Sequence, residues 1–341
     1  PILFRSAADG SALVRLSANY LNDFTPSVLT DGRIVYSRWE YVDRPAIPIQ
    51  SLWAINPDGT GVTGMFGNRI LSPATFMDAR EIPGGDGRIL CVLTSHNGPC
   101  RGAIGILDPR LGSNSQEAIT NLTPEVDTGE INQAGKGNQI RGPYLNPFPL
   151  DERHYLVSKR GAIELRDYEG ALTIPLLQPA ASGPGFYCPQ PIRPRKRERQ
   201  VSSTLPPAPD DGEQPWATIM MQDVYAGLGG AVPRGEIKHL AVVQEVEKPL
   251  GIDPGKRAFG FQFPVVSCGA TYAPKKIWGY AKVRPDGSAA FKVPAQEPIY
   301  FLPLDSEGRA VQRMRTFTHL MPGEVQGCIG CHSDRNAATP V

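Results

Sequence analysis

Short apolar or alternating segments, each bounded by turn residues, recur along most of the chain, whereas helical periodicity is scarce. Ile34–Trp39 follows a Thr-Asp-Gly-Arg turn at residues 30–33, and the apolar residues 51–55 run into an Asn-Pro-Asp-Gly turn at residues 56–59. Asp, Asn, Gly and Pro favour tight turns, so segments joined in this way are typical of β-hairpins. The pattern therefore predicts a mainly β protein.

A two-part unit recurs along the chain. In each copy, a strand that opens with an Asp-x-Arg turn is followed by a second strand that closes at an aspartate-containing turn, and the copies begin near Asp31, Asp86 and Asp151. The unit returns every ~50 to 65 residues, the range of propeller blades with insertions. Because one small sheet cannot bury both of its faces alone, we expect the units to stack around an axis as a β-propeller of six or seven blades.

The strand pattern is interrupted once, by a Pro- and Arg-rich stretch at residues 188–215 that is predicted to be a linker or a long surface loop. Propeller blades are therefore expected over residues 1–187 and again over 216–310, followed by a C-terminal segment, 311–341. The basic run 193–199 is interpreted as a solvated charge run, with docking of an acidic redox partner as the alternative.

Composition supports a folded protein and gives little indication of a partner. The 341 residues include 36 Gly and 34 Pro, yet 40% are hydrophobic and 20% are charged, which describes a turn-dense fold and not a disordered chain. A formal net charge of +1 provides no case for nucleic acid or an anionic membrane as partner. The sequence has no apolar run of about eighteen residues, so no transmembrane helix is expected.

The chemistry of the chain is concentrated in the pentapeptide Cys328-Ile-Gly-Cys331-His332, which has the attachment pattern of a c-type haem. Each thiol can add to one haem vinyl group, and the histidine after the second cysteine is then delivered to the iron as an axial ligand. Cys-x-x-Cys without the histidine would equally fit a redox dithiol or half a zinc site. The alternatives are a zinc knuckle that lacks its fourth ligand and a coincidental surface pair. The motif predicts one covalent haem c.

The second axial ligand is expected from upstream or from another chain, because residues 333–341 are too few for the helices that follow the motif in an ordinary small cytochrome c. His319 is the first candidate, since it lies on a segment that turns toward the motif. Met314 and Met321 are also near in sequence, although lone methionines mostly serve packing. An open sixth position would allow small-molecule chemistry at the iron. The weaker candidates are His96, His239 and His154.

Two arginines lie shortly before the motif. Arg313 and Arg315 are candidate partners of the haem propionates, because guanidinium groups match the geometry of carboxylates. Solvent exposure explains both residues equally well. The sequence contains no phosphate-binding loop, nucleophile elbow or His-Glu-x-x-His helix.

Covalent haem c is normally attached outside the cytoplasm, so we expect an exported, periplasmic or extracellular protein whose signal peptide is already removed. The other cysteines are even in number, and they either pair in an oxidising compartment or remain buried free thiols. Cys91 and Cys100 flank a predicted hairpin, and Cys188 with Cys268 would close a long loop.

The sequence resembles the planctomycete-type β-propeller cytochromes related to the hydrazine synthase alpha subunit. The segments that carry the resemblance are 31–43, 222–228 with 233–238, 286–295, and 312–324 leading to the haem motif. The resemblance implies a β-propeller with covalent haem c, a periplasmic or extracellular setting, and a place in a larger redox assembly. The hydrazine synthase alpha subunit carries two haems on a longer chain, whereas this sequence has a single attachment motif.

Three functions follow from these expectations. The first is electron transfer by a monohaem c-type cytochrome within an extracytoplasmic multi-subunit redox complex, with other redox subunits as partners. The second is a catalytic haem subunit that acts on small nitrogen compounds, as the resemblance implies. The third is a propeller interaction module with a structural haem. The sequence leaves open whether the chain is an enzyme, and the atom opposite His332 on the iron separates the first function from the second.

Overall fold

The computed structural model describes residues 1–40, 49–84, 86–96, 98–133, 139–207, 213–246 and 274–331. These residues form twenty β-strands and two short 3-10 helices, Pro109–Leu111 and Gln116–Ala118, and they include no α-helix. Within the same residues, no helix is long and apolar enough to cross a membrane. The prediction of a mainly β protein is confirmed.

The first fourteen strands include three antiparallel meanders of four strands each, in which consecutive strands are neighbours. We call β3–β6 the first meander, β7–β10 the second and β11–β14 the third; β1 and β2 pair separately. The strands are β1 Phe4–Arg5, β2 Val14–Arg15, β3 Asn22–Val28, β4 Ile34–Trp39, β5 Gln50–Ile55, β6 Thr63–Phe66, β7 Thr75–Glu81, β8 Ile89–Thr94, β9 Ala103–Leu107, β10 Ile119–Asn121, β11 Tyr144–Pro149, β12 His154–Lys159, β13 Ala162–Asp167 and β14 Thr173–Leu177.

The three meanders share a bulge in their first strand. Thr25, Asp78 and Asn146 occupy this position, and each has a left-handed backbone with φ of +45°, +53° and +50°. The bulges link the meanders, because the backbone N–H of Asp78 donates to Thr25 Oγ1 (3.3 Å) and Asn146 Nδ2 donates to Asp78 Oδ2 (2.9 Å). The linked residues are 53 and 68 apart. The first spacing lies within the predicted range of ~50 to 65 residues and the second slightly exceeds it, and the bulge is a backbone feature that all three units share.

One apolar cluster joins the three meanders. It includes Val35 and Leu52 of the first meander, Phe76 and Val92 of the second, and Tyr155 of the third, all buried. Burying these faces against one another removes apolar surface from water, which is the main force that holds such sheets together. The sheets therefore pack as expected for repeated units that cannot bury both faces alone.

The strands after residue 215 pair differently from a propeller blade. They form two three-stranded sheets, ordered β18-β15-β20 and β17-β16-β19, so consecutive strands are mostly not neighbours. Blades were expected over residues 216–310; the alternation of buried residues predicted strands there, but it does not determine which strands pair. The strands are β15 Trp216–Met221, β16 His239–Glu245, β17 Lys275–Lys282, β18 Ala289–Pro294, β19 Ile299–Leu304 and β20 Val325–Cys328.

The two C-terminal sheets pack face to face. Ile219 and Val293 of one sheet meet Val242 and Phe301 of the other in a buried apolar cluster that also includes Leu320. The arrangement is a small β-sandwich, whose core is built from the inward-facing residues of both sheets. The strand β20, on which the cysteine motif begins, is one edge of this sandwich.

Residues 316–324 are the last part of the connection from β19 to β20, and we call them the connecting segment. They lie against the first meander, where the carboxylate of Glu40 accepts a hydrogen bond from the Thr316 hydroxyl and another from the Phe317 backbone N–H (3.0 Å). Glu40, Thr316 and Phe317 are all buried. A buried carboxylate thus fixes the start of the connecting segment to β4.

A second buried charge supports the same contact. Arg38 pairs with Asp23 at 2.9 Å, and neither side chain is accessible to solvent. Its guanidinium also donates to the backbone oxygens of Phe317 (3.3 Å) and Ala18 (3.1 Å). At the other end of the connecting segment, Glu324 accepts from the backbone N–H of Gly61 (2.9 Å).

Candidate functional site

The cysteine motif begins on β20, which runs parallel to β15. Met220 is opposite Gly327 and Met221 is opposite Cys328. The pairing continues past the strand, since the Gln222 N–H donates to the Cys328 carbonyl (2.8 Å) and the Cys331 N–H donates to the Val224 carbonyl (3.4 Å). Backbone bonds therefore hold the motif along β15 and the turn that follows it.

Gly330 lies in the tightest part of this contact. A Cβ at this position would stand 2.3 Å from the Asp223 carbonyl oxygen and 2.7 Å from the Cβ of Ala226. A real Cβ cannot approach a backbone oxygen so closely, so only glycine fits here without a backbone shift. Gly327 is different, because nothing lies within 4 Å of the Cβ it would carry. The glycine inside the motif is therefore required by the seat formed by residues 223–226.

Alternation along β20 sets the direction of the first thiol. Val325 and Gly327 are exposed, whereas Gln326 and Cys328 are half-buried and share the inner face of the sheet. Cys328 and Cys331 both pack against one buried apolar cluster. Its members include Met221, Val224, Leu228, Ile237 and Leu240. Both cysteines are free thiols.

The surroundings of the thiols favour their protonated form. Burial, together with the neighbouring Cys328, raises the pKa of Cys331 to about 12. Burial also raises the pKa of Cys328, although a hydrogen bond with the Gly330 backbone opposes this shift. A reactive dithiol has the opposite environment, in which nearby positive charge lowers the pKa of the thiol. Within the described ranges, no group of three or more His, Cys, Asp and Glu side chains is placed to hold a metal ion.

The other predicted site residues differ in their burial, and one of them is not described. His332 lies outside the described residues. Arg313 is half-buried and Arg315 is exposed, and their role as propionate partners remains a prediction. Met314 packs against the same apolar cluster as Cys328, which includes Ile219 and Val293. Met314 as an axial ligand remains a prediction.

His319 is buried on the side of the first meander. Its Nε2 lies 3.0 Å from the Leu16 carbonyl, and its Nδ1 has no hydrogen-bond partner in the described part of the chain. Burial, reinforced by the positive charge of Arg38, lowers its pKa to about 4, so the imidazole is neutral at pH 7. Its charged neighbours Arg38 and Asp23 belong to the first meander. His319 as the second axial ligand remains a prediction.

The remaining histidines occupy separate places. His96 lies edge-on to Trp39, with ring centroids 4.8 Å apart, and its Nδ1 is 2.7 Å from Gln50 Nε2. His154 bonds Asp151 at 3.1 Å, and His239 is exposed at the start of β16.

The other cysteines are free wherever they are described. Cys91 is buried inside β8, whereas Cys100 and Cys188 are exposed. The pairing of Cys91 with Cys100, one of the two alternatives for these residues, is thus not formed in the structure. Cys268 lies outside the described residues, and its pairing stays untested.

Sequence reasoning missed the seat of the motif. Asp223, Val224 and Ala226 hold the cysteine segment through backbone contacts, which depend on the parallel pairing of β15 with β20. The only signal in the sequence was the stretch 222–228, which belongs to the family resemblance but gave no indication of its partner.

Residues 235–333 match the family model of the hydrazine synthase alpha subunit middle domain. The chain is related to the hydrazine synthase alpha subunit. The matched segment extends from the sandwich through the cysteine motif, so the relation to hydrazine synthase includes the candidate site. The matched segment includes β16–β20 of the sandwich, whereas β15 precedes the matched residues.

The fold of hydrazine synthase extends this likeness to most of the chain. The structure titled Kuenenia stuttgartiensis Hydrazine Synthase matches with a TM-score of 0.74 and 19% identity, over 94% of this chain and 45% of that chain. At this identity the likeness shows the fold alone, and the chain spans less than half the length of its match. The tricorn protease structure aligns with a TM-score of only 0.22, 14% identity, and 52% of this chain against 14% of that chain, and it carries no argument. None of the curated proteins matches the sequence significantly.

Proposed function

We propose that Cys328 and Cys331 hold one covalent haem c with His332 as axial ligand, and that the protein transfers electrons within an extracytoplasmic multi-subunit redox complex. The observation that carries the proposal is the placement of two cysteines, three residues apart, against one apolar cluster. The spacing matches the two vinyl groups of haem c. When bound, haem c supplies one-electron redox chemistry whose potential depends on its axial ligands and burial.

The residues of the site fit such a group. The apolar cluster around the thiols, which includes Val224 and Leu228, is suited to a largely apolar macrocycle. Gly330 lets the segment between the thiols lie flat against the turn at residues 223–226, so the two sulfur positions are fixed by backbone contacts. The half-buried Arg313 is the better placed of the two arginines for a propionate, because an exposed partner contributes little.

The scaffold supports electron transfer because it holds the cysteine segment rigidly. Thioether bonds would anchor the group to a strand edge of the sandwich, and the connecting segment is tied to the first meander by Glu40 and Arg38. A site fixed in this way changes little between oxidation states, and its distance to a neighbouring redox centre stays constant. The relation to one subunit of hydrazine synthase supports the presence of partner subunits.

A second function is favoured by one specific observation. The family model that matches residues 235–333 describes a subunit of an enzyme, hydrazine synthase. In this second proposal the chain is a catalytic haem subunit that acts on small nitrogen compounds at an open position on the iron.

The spin state of the ferric protein separates the two functions. Electron transfer predicts a low-spin spectrum and slow binding of cyanide, because a second protein ligand occupies the iron. The variants His319→Gln and Met314→Leu are compared, since the first keeps a donor for the Leu16 carbonyl and the second keeps the volume of the side chain. Loss of the low-spin spectrum in one variant identifies the second ligand. A high-spin spectrum with rapid cyanide binding in the unmodified protein would contradict electron transfer and favour the catalytic function.

A further inference from the structure

Three loops meet beside the second and third meanders, away from the cysteine motif. Gly102, at the end of the β8–β9 connection, exchanges two backbone hydrogen bonds with Tyr144 at the start of β11 (3.0 and 3.3 Å). The backbone N–H of Arg160, in the β12–β13 turn, donates to the Pro143 carbonyl (3.1 Å). The three loops are therefore fixed to each other through main-chain contacts.

Two glycines let these loops touch. A Cβ on Gly142 would stand 2.2 Å from the Gly102 carbonyl oxygen, and a Cβ on Gly102 would stand 2.1 Å from the Leu93 carbonyl oxygen. Larger residues would separate the loops. Arg101 and Arg141 directly precede the two glycines, so the close contact brings both arginines to the wall of one cavity.

The cavity has a volume of about 830 Å³ and a strongly positive wall. Among the described residues of its wall, Arg101, Arg141, Lys159 and Arg160 are positively charged and Glu125 is the single carboxylate, which gives these residues a local charge of +3. The whole chain has a formal charge of only +1. The volume is within the range of pockets that hold small molecules, roughly 300 to 1,000 Å³.

The carboxylate in the wall already has a partner. Glu125 accepts a hydrogen bond from the Tyr144 hydroxyl at 2.5 Å. Burial alone would raise the pKa of Glu125, but this bond and the nearby cations outweigh burial and lower it. Lys159 is 3.9 Å from the Glu164 carboxylate, at the outer limit of an ion pair. Among the described lining residues, the four cations therefore outnumber the one carboxylate.

The backbone of Arg160 adopts a left-handed conformation that is unfavourable for arginine. Residues 160 and 161 form the two-residue turn between the paired strands β12 and β13, with φ of +50° at Arg160 and +83° at Gly161. A turn with positive φ at both positions favours Asn-Gly, because a residue with a Cβ is strained in the left-handed region and asparagine tolerates that region better than arginine. The turn would be more stable with asparagine, yet the arginine places a guanidinium at the cavity.

We infer that this cavity binds a small oxyanion carrying two or more negative charges, of the phosphate or polycarboxylate class. Guanidinium groups donate two parallel hydrogen bonds to the oxygens of such anions, and the lysine adds a point charge. The backbone contacts hold the main chains of the three loops together, so the three exposed arginine side chains start from neighbouring positions. The inference is independent of the haem and of the proposed electron transfer.

The test is isothermal titration of the purified full-length protein with inorganic phosphate and, separately, with citrate, at an ionic strength held constant with sodium chloride. One saturable site is expected, and the anion with the lower Kd identifies the class. Arg101→Gln and Arg160→Asn are each expected to weaken binding about ten-fold, the effect of losing one charged hydrogen-bond partner. Arg5→Gln, an exposed arginine on β1, removes the same charge elsewhere and should leave binding unchanged.

Arg160→Asn provides a second readout with the opposite sign. Because asparagine suits the turn better than arginine, the variant should melt at a higher temperature than the unmodified protein while binding the anion more weakly. Arg160→Lys keeps the positive charge and the strained backbone but loses the two parallel N–H donors of the guanidinium. Its affinity for the anion should therefore lie between that of the unmodified protein and that of Arg160→Asn. Equal affinity in all the variants would overturn the inference, as would heats that appear only when ionic strength is allowed to vary. Binding of polyglutamate but of neither small anion would also overturn it, and would indicate a docking surface for an acidic protein.

Discussion

Gly330 and Gly327 provide a matched pair at the scale of single residues. Gly330→Ala is expected to lower the free energy of unfolding by about 1 to 3 kcal/mol, because its Cβ would meet the backbone oxygen of Asp223, which cannot rotate away. Gly327→Ala should stay within about 0.5 kcal/mol of the unmodified protein, since its Cβ would meet nothing within 4 Å. Denaturant unfolding of both variants measures the difference. Equal losses would contradict the seat described for the motif.

A pH effect is expected from His96. Burial lowers its pKa to about 4, whereas an unfolded histidine titrates near 6.5. The neutral imidazole accepts from Gln50, and the charged form cannot. Since the folded pKa is the lower one, this stability is complete above pH 6.5 and is lost as the pH falls toward 4.

The variant His96→Asn isolates this effect. The free energy of unfolding of the unmodified protein should fall relative to that of the variant by about 1 to 2 kcal/mol between pH 7 and pH 4.5, an amount reduced for partial exposure and for rotation of the Gln50 amide. Urea unfolding at several pH values measures it. A constant difference across this range would show that the ring is not buried in its neutral form.

Some residues of the candidate site could be predicted and others could not, for a physical reason. Cys328, Cys331 and His332 could be selected as candidates because a covalent attachment requires fixed residue types at fixed spacing within five residues, and their role as a haem site stays a prediction. The bond between Arg38 and the Phe317 carbonyl joins residues 279 apart, and no local pattern reports such a contact. Cys100 and Cys91 show the limit of spacing alone, because one is exposed and the other is buried, and both are free.

At the scale of elements, the connecting segment depends on a buried carboxylate. Glu40→Ala is expected to cost about 2 to 4 kcal/mol, because it leaves the buried Phe317 N–H and the Thr316 hydroxyl without an acceptor. Hydrogen exchange at the Phe317 amide should accelerate in the variant, which localises the loss to this segment.

Glu81 is the matched control for Glu40. Its carboxylate also accepts from one backbone N–H and one threonine hydroxyl, both of Thr30, but it lies nearer to solvent. Water can replace the lost acceptor there, so Glu81→Ala should cost only about 0.5 to 1.5 kcal/mol. If the two variants lost equal stability, burial would not be what makes the Glu40 contact strong.

Elements were easier to predict than their partners. The period of two in segments such as His239–Glu245 identifies a strand and its buried face, and the structure has a strand at that place. The same period does not say that β20 pairs with β15 in parallel across more than a hundred residues. The bulges at Thr25, Asp78 and Asn146 were also missed, because these three residue types share little except tolerance of a left-handed backbone.

At the scale of the whole molecule, the three meanders and the sandwich carry different candidate sites. The meanders repeat one backbone design and carry the cationic cavity, whereas the sandwich carries the cysteine motif and matches the hydrazine synthase alpha subunit middle domain. The repeat could be predicted because each unit has its own turn signals. The number of blades stays a prediction. The sandwich differs from the pairing of a propeller blade, because strands that are neighbours in its sheets are mostly not consecutive in sequence.

The central claim concerns the haem, and the most direct test is the intact mass of the full-length protein. The protein is produced with the c-type cytochrome maturation system and measured under denaturing conditions, with mapping of the peptide that contains Cys328 and Cys331. The account predicts a mass increase of one haem on that peptide, absent in the double variant Cys328→Ala/Cys331→Ala. The mass of the unmodified chain, or a haem that separates from the denatured protein, would contradict it.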